Sequence, residues 1–206
     1  MRTEYSGSLI DPDSAPDNPY TFFEEWFNQA NACCGDETNI MMLATANNMG
    51  EPHLRTVLLK EYDATGFVFF TNYESQKGQD LKENPKASLL FHWQPLFRQI
   101  RITGQVEKVN RVDSAAYFVS RPFDSRISAI VSPQSRIISS REQLVSQVNE
   151  LTEKFKNSSP PCPAFWGGYK VVPYQIEFWQ GRPDRLHDRV LYTKEDNSWR
   201  RVRLAP

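Results

Sequence analysis

Four groups of residues in this 206-residue chain have side chains suited to anion chemistry. The first is the run Arg55, Thr56, Val57, Leu58, Leu59, Lys60, with a cation at each end. Strand alternation puts Arg55 with Val57 and Leu59 on one face, and Thr56 and Leu58 with Lys60 on the other. Arginine offers a planar fork of donors and lysine a point charge, a combination suited to phosphate. The same pattern also describes an edge strand with solvated ends. The second group is Thr71 and Asn72, followed by Ser75, Gln76 and Lys77, where a strand gives way to a helix start. Free amides and the positive end of the helix dipole would face an anion there, although Ser75 is equally an ordinary cap. The third is Tyr117, Arg121 and Ser125, spaced four apart. On one continuous helix they would form a hydroxyl–guanidinium–hydroxyl clamp for a small phosphate, but Pro122 kinks or breaks that helix. A core tyrosine beside an exposed arginine is the plainer reading. The fourth is Arg185, His187 and Arg189, in a segment (residues 182–203) with seven Lys or Arg against four acids. On an extended backbone these three point the same way, and three such groups aimed together call for an anion.

The elements that must carry these groups are legible from periodicity. Residues 6–19, with Pro12, Pro16, Pro19 and Asp11, Asp13, Asp17, read as an extended tail, so residues 1–18 are expected to be flexible. Asn18 offers an N-cap and Pro19 a first helical position. The helix that follows runs to about residue 32 on a stripe of Phe22, Phe23, Trp26, Phe27 and Ala30, with Gly35 as a stop. Strands are predicted at 40–46, 53–62, 67–72, 86–93 and 97–109, with a short helix at 75–84 ended by Pro85. In the last of them Ile100, Ile102 and Val106 alternate with Gln99, Arg101, Thr103 and Gln105. Strands joined by short turns imply an antiparallel meander or Greek-key barrel. Helices follow at 111–120, 124–131 and 140–156, the last with a stripe of Leu144, Val148, Leu151 and Phe155. After the Pro-rich break at 158–163, strands at 174–180, 189–193 and 199–204 are expected to complete the same barrel. The fold class is therefore α+β, mainly β, with residues 19–206 as one domain.

Composition excludes several functions. With 24 Lys and Arg against 25 Asp and Glu, the net charge of −1 argues against nucleic-acid binding through global charge. The longest apolar runs, residues 40–44 and 115–119, cannot span a bilayer, and no secretory leader is expected at the N-terminus. Cys33, Cys34 and Cys162 give no disulfide framework, which suggests a reduced, cytoplasmic setting. No C-x-x-C occurs and His53, His92 and His187 are far apart, so no metal site is expected. Neither G-x-G-x-x-G nor a P-loop is present, so any phosphorylated cofactor is held by other means. Gln134 and Ser135 read only as loop after Pro133. Phe165, Trp166, Gly167, Gly168 and Tyr169 read as a packing corner or a platform for a planar ligand.

Taken in order, these segments resemble the pyridoxamine (pyridoxine) 5′-phosphate oxidase family. The resemblance is carried by Arg55 to Lys60, Thr71-Asn72 with Ser75 and Lys77, Arg98-Gln99, Tyr117 through Arg121 to Ser125, and Ser132 to Ser135. Further on it rests on Phe165 to Gly168, Ile176 to Gly181, Arg185-Leu186-His187-Asp188-Arg189 and the terminal Arg203 to Pro206. It runs from about Pro19 to the end, and residues 2–5 resemble the family's N-terminal substrate-contacting segment. The resemblance implies an FMN-binding split β-barrel with peripheral helices, assembled as a homodimer with FMN at the subunit interface. It implies FMN contacts by Arg55, Thr56, Val57, Leu58, Leu59, Lys60, Phe70, Thr71, Gln76, Lys77, Gln99, Gln134, Ser135, Trp179 and Arg189, some from the second subunit. It gives Lys60, Tyr117, Arg121 and Ser125 the substrate phosphate, adds Arg2 and Tyr5 to the substrate site, and lays Arg185 and His187 over the pyridine ring as the catalytic pair.

The implied reaction oxidises pyridoxamine 5′-phosphate or pyridoxine 5′-phosphate to pyridoxal 5′-phosphate, with O₂ as acceptor and hydrogen peroxide as product. The hard chemistry belongs to the cofactor. A phosphate clamp would use binding energy remote from the reacting carbon to fix the substrate. His187 suits handling of a substrate proton, whereas Arg185 stays protonated and suits orientation. Two departures from the family pattern stand out. Gln76 replaces a second cation beside Lys77, which implies weaker FMN binding, and Phe70 stands where tyrosine is common. A flavin reductase and a non-catalytic pyridoxal phosphate carrier are the competing readings. The Tyr117–Ser125 clamp disfavours the first, and bound flavin would exclude the second.

Overall fold

Asn18 starts the first helix. A computed structural model describes residues 5–206, and in it the Asn18 side chain accepts the Tyr20 amide proton at 3.0 Å, with Pro19 opening α1 (Pro19–Cys34). Gly35, at φ 55°, ends it. Only Gly35 among nearby residues tolerates this left-handed backbone without cost. The apolar stripe of α1 buries Phe22, Phe23 and Trp26 against the sheet, where Phe23 meets Phe67 at 4.9 Å and Phe22 stacks on Phe178 at 4.2 Å between ring centroids.

The strands are β1 (Ile40–Ala46), β2 (Pro52–Leu58), β3 (Glu61–Asp63), β4 (Gly66–Asn72), β5 (Lys86–Trp93), β6 (Arg98–Lys108), β7 (Trp166–Gln180), β8 (Asp188–Glu195) and β9 (Ser198–Arg203). All pair antiparallel in the order β2-β1-β5-β6-β7-β4-β3, with β8 added to β7 and β9 to β8. The strand expected at 53–62 is broken by a bend at Leu59 and Lys60. The Leu59 amide donates to the Asn39 carbonyl at 2.8 Å and the Lys60 amide to Val68 at 2.9 Å. The two ends of the strand order are thus two halves of one bent segment, which closes the sheet into a split barrel. Phe67, Phe69, Phe91, Ile100, Ile102 and Phe178 fill its interior.

β7 is longer than the strand expected at 174–180 and pairs with β4, β6 and β8. Two features hide its first half from pattern reading. Pro173 lies at a bulge, where the register shifts between Thr103 and Gly104, so its missing N–H interrupts nothing. Gly167 and Gly168 are packing glycines: a Cβ on Gly167 would come within 2.1 Å of the Tyr73 hydroxyl, and one on Gly168 within 2.8 Å of Val109.

α2 (Gln76–Glu83), α3 (Arg111–Ser120), α4 (Phe123–Val131) and α5 (Arg141–Phe155) lie outside the barrel. The α5 stripe is only half-buried, because it rests on α4 rather than the core. Residues 5–18, expected as a flexible tail, contain no helix or strand but are tied down. Ile10 is buried in the core cluster, Tyr192 donates to the Pro16 carbonyl at 2.7 Å, and Arg203 pairs with Asp11 at 2.7 Å. Among the described residues no helix is long and apolar enough to cross a membrane.

Candidate active site

The bend after β2, the end of β4, the start of α2 and the α3–α4 break meet around a pocket of about 720 Å³. Thr56, Val57, Leu58 and Lys60 line one wall, Phe70, Thr71 and Lys77 the floor, and Tyr117, Arg121 and Ser125 the opposite side, with Gln134 and Trp166 closing it. Pro122 does break the helix, yet Tyr117, Arg121 and Ser125 converge on this pocket from either side of the break. A larger hollow of about 920 Å³ shares Phe70 and Tyr117. Its lining sets four acids, Glu61, Asp63, Glu107 and Asp113, against Lys108 and Lys170, whereas the smaller pocket sets Lys60, Lys77 and Arg121 against Asp124, so the smaller pocket suits an anion better.

Lys77 is the buried cation of the pocket, 8% exposed. Its Nζ donates to Gln134 Oε1 at 2.9 Å and Ser75 Oγ at 3.3 Å, both neutral oxygens. Burial, and then the charge of Arg55, push the Lys77 ammonium down to about 8 despite Asp80. Thr71 also donates to Gln134, at 3.1 Å. Arg55 lies behind the pocket, not on its wall: its Nη1 donates to Thr45 Oγ1 at 2.7 Å and to the Leu43 carbonyl at 3.1 Å. Burial holds its guanidinium below the ordinary value.

Behind both cations sits Asp80, a residue that pattern reading missed. This carboxylate is 1% exposed and accepts from Thr45 Oγ1 at 2.6 Å, Gln76 Nε2 at 2.9 Å and His53 Nδ1 at 3.0 Å. Arg55 lies 3.8 Å away. Burial pushes the Asp80 carboxyl up, but the donors, Thr45 first, outweigh it and hold it below the usual range. Gln76, expected at the cofactor, is thus committed to Asp80. One sequence signal was available: Gln76 and Asp80 are four apart on a helix.

Arg121 has no such commitments. Its guanidinium carbon lies 4.8 Å over the Trp166 ring, and its buried Nη1 has no hydrogen-bond partner. Burial lowers its pKa from the ordinary value. Tyr117 stacks on Phe70 at 3.9 Å between centroids, and burial raises its hydroxyl pKa. Phe70 therefore acts as a ring shelf under Tyr117.

The remaining expected residues form a second cluster across β6, β7 and β8. Gln99, Trp179 and Arg189 stand in one cross-strand row and line a depression of about 220 Å³. Arg189 is not free: it donates to Glu177 at 2.8 and 3.1 Å and to the Ala205 carbonyl at 2.8 Å. The buried Glu177, which also pairs with Arg101, escaped the sequence reading. The extended run expected over 185–189 is also corrected. Pro183–Arg185 is a 3₁₀ turn, with Asp184 and Arg185 at φ 55° and 62°, so strand geometry begins only at Asp188. His187 Nδ1 accepts the Arg182 amide proton at 3.1 Å, and its ring lies 4.6 Å from Trp179 and 5.5 Å from Tyr5. Leu59 points inward at 4% exposure, and Ser135 sits at φ 70° in the exposed loop beside Gln134. Arg2 lies outside the described residues.

The donor set fits a flavin phosphate and a substrate phosphate. A buried lysine bound only to neutral oxygens and a buried guanidinium nitrogen without a partner both lack an anion. The 720 Å³ pocket and the 220 Å³ depression have no lining residue in common, so one chain carries two separate parts of the expected site.

Fold and pocket together define a split-barrel protein whose pocket gathers cations and hydroxyls. Residues 27–155 match the family described as pyridoxamine 5′-phosphate oxidase, and residues 166–206 match the pyridoxine 5′-phosphate oxidase C-terminal dimerisation region. The pyridoxine/pyridoxamine 5′-phosphate oxidase of Crocosphaera subtropica is 51% identical over all of this chain and 98% of its own. The pyridoxine/pyridoxamine 5′-phosphate oxidase 2 of Hydrogenovibrio crunogenus is 49% identical over all of this chain and 97% of its own. Among solved structures, PhzG from Burkholderia lata, in complex with tetrahydrophenazine-1-carboxylic acid, superposes with a TM-score of 0.92 at 28% identity, covering 99% of this chain and all of PhzG. The chain belongs to the pyridoxamine 5′-phosphate oxidase family.

Proposed function

We propose that this chain is an FMN-dependent oxidase that converts pyridoxamine and pyridoxine 5′-phosphates to pyridoxal 5′-phosphate, with O₂ as acceptor and hydrogen peroxide as product, the amine also consuming water and releasing ammonia. The observation that carries this reading is the convergence of Lys60, Tyr117, Arg121 and Ser125 on one pocket, with Arg121 Nη1 buried and unpartnered. Two cations and two hydroxyls match a phosphate dianion. Lys77, Thr71 and Gln134, steadied by Arg55 and Asp80, would hold the FMN phosphate end. Gln99, Trp179 and Arg189 would contact FMN from the second subunit of a homodimer, which accounts for two separate clusters in one chain. FMN, when bound, supplies the two-electron acceptor that O₂ reoxidises.

The chain's own residues position the substrate. The phosphate clamp would fix one end, and Arg185 and His187, the latter beside Trp179 in the second cluster, would cover the ring from the second subunit. Because His187 Nδ1 accepts a backbone proton, neutral His187 carries its proton on Nε2. It would therefore donate a hydrogen bond from Nε2 that orients the substrate oxygen or nitrogen, the proton released by the oxidation passing to solvent, and Arg185 would contribute fixed positive charge. Three free thiols suit a reducing, cytoplasmic setting. Purified protein assayed for oxygen-dependent pyridoxal 5′-phosphate formation tests the proposal. Turnover of a tetrahydrophenazine carboxylate but not of pyridoxamine 5′-phosphate would shift the substrate class and refute it.

A further inference from the structure

The last turn of α1 ends in Cys33 and Cys34, adjacent in sequence, with sulfurs 3.4 Å apart. Cys33 is exposed, and Cys34 leans on the core cluster, so one thiol is anchored and the other faces solvent. The third cysteine, Cys162, is remote in sequence; its thiol lies 3.8 Å from each of the Pro163 and Trp166 carbonyls, and its own carbonyl accepts from Arg111. Gly35 turns the chain away directly after Cys34, at φ 55°, which leaves the pair at an open helix end.

We propose that Cys33 and Cys34 form a vicinal-dithiol site for a thiophilic trivalent arsenical, bound through both sulfurs at once. The separation of 3.4 Å is close to sulfur–sulfur contact and suits two sulfurs on one pyramidal arsenic. Both ligands come from one helix end, so chelation needs no movement of distant elements. The effective concentration of the second thiol, once the first is bound, is correspondingly high.

The chemistry balances without an oxidant. An aryl arsonous acid, R–As(OH)₂, meets two thiols. Two As–S bonds form, two As–O bonds break, and each thiol proton leaves in a water molecule. Arsenic stays trivalent and no sulfur is oxidised. Burial, then the hydrogen bond with Cys33, push the Cys34 thiol up to about 11. Cys34 is therefore a poor thiolate nucleophile toward alkylating agents, whereas condensation with an arsenical consumes thiols and releases water. This site is independent of the proposed oxidase activity, since neither cysteine lines the pocket or the second depression.

The test uses the full-length protein with phenylarsine oxide as probe. Intact mass should show one phenylarsenic adduct per chain, and the thiol count after denaturation should fall from three to one. The adduct should survive excess glutathione and be released by 2,3-dimercaptopropanol, because only a dithiol competes with a chelate. Cys33→Ser and Cys34→Ser should each lose the glutathione-resistant adduct, and Cys162→Ser should keep it. Circular dichroism checks that each variant is folded. A count that stays at three, an adduct stripped by glutathione, or a resistant adduct that persists in folded Cys34→Ser overturns the proposal.

Discussion

Replacing Arg121 with alanine isolates the phosphate clamp. In the free protein this guanidinium pays for its position twice in opposite directions. Its buried Nη1 lacks a partner, which costs about 1–3 kcal/mol. Its placement 4.8 Å over Trp166 returns about 0.5–2 kcal/mol. These nearly cancel, so Arg121→Ala is expected to change unfolding free energy by no more than about 1 kcal/mol. With substrate present the balance differs. A charge-assisted hydrogen bond from Nη1 to a phosphate oxygen is worth about 1.5–3 kcal/mol. At about 1.4 kcal/mol per decade, KM for pyridoxamine 5′-phosphate should rise about 10- to 150-fold. Unphosphorylated pyridoxamine, which never engages the clamp, should react equally poorly with both forms. The assay is steady-state kinetics on both substrates, with FMN content read from absorbance and stability from urea unfolding. If Arg121→Ala lost its flavin while KM stayed constant, the clamp assignment would be wrong. If it lost several kcal/mol of stability, the unpartnered-nitrogen reasoning would fail.

Lys77 should make FMN binding pH-dependent: with its ammonium at about 8, affinity should fall as pH rises through that value, and fluorescence titrations of Lys77→Met should be flat over the same interval. The same depressed value means that Lys77 contributes increasing stability to the free protein as pH rises from about 8 toward lysine's ordinary value of 10.5, because the unfolded chain binds the extra proton there; a stability difference between wild type and Lys77→Met that does not grow in the wild type's favour over this range would contradict the burial. Asp80→Asn should cost roughly 1.5–3 kcal/mol, since three donors lose a charged acceptor. Because the folded Asp80 carboxyl lies below its ordinary 3.8, its contribution is full above 3.8 and lost as pH falls through the folded value; an acid-unfolding limb identical to wild type would remove Asp80 from this role. His187→Ala should lower kcat by about 10²-fold with FMN content intact, and unchanged kinetics in the folded variant would exclude it from proton handling.

Most of the barrel was legible because its strands keep period two and its turns carry ordinary signals. The strand at Ile40–Ala46 and that at Lys86–Trp93 are found where the sequence puts them. The misses have specific causes. The first half of β7 carries Gly167, Gly168 and Pro173, residues that argue against a central strand until tight packing and the bulge are seen. The bend at Leu59 and Lys60 has no local signal; it is imposed by pairing with Asn39 on one side and Val68 on the other. Of the site, cations and hydroxyls were recognisable by type and order. Their convergence across Pro122 was not, because helix periodicity stops at a proline. Asp80, His53 and Glu177 escaped for a different reason. A buried carboxylate is defined by partners from distant strands, such as Thr45 for Asp80 and Arg189 for Glu177, and single-sequence spacing does not report those.

The most direct measurement is an absorbance spectrum of the purified protein after incubation with FMN, taken before and after anaerobic addition of pyridoxamine 5′-phosphate. Flavin bands that bleach on addition and return on admission of air are expected. Bands that ignore the substrate would contradict the oxidase reading while leaving the fold intact, and failure to retain any flavin would contradict the cofactor site itself.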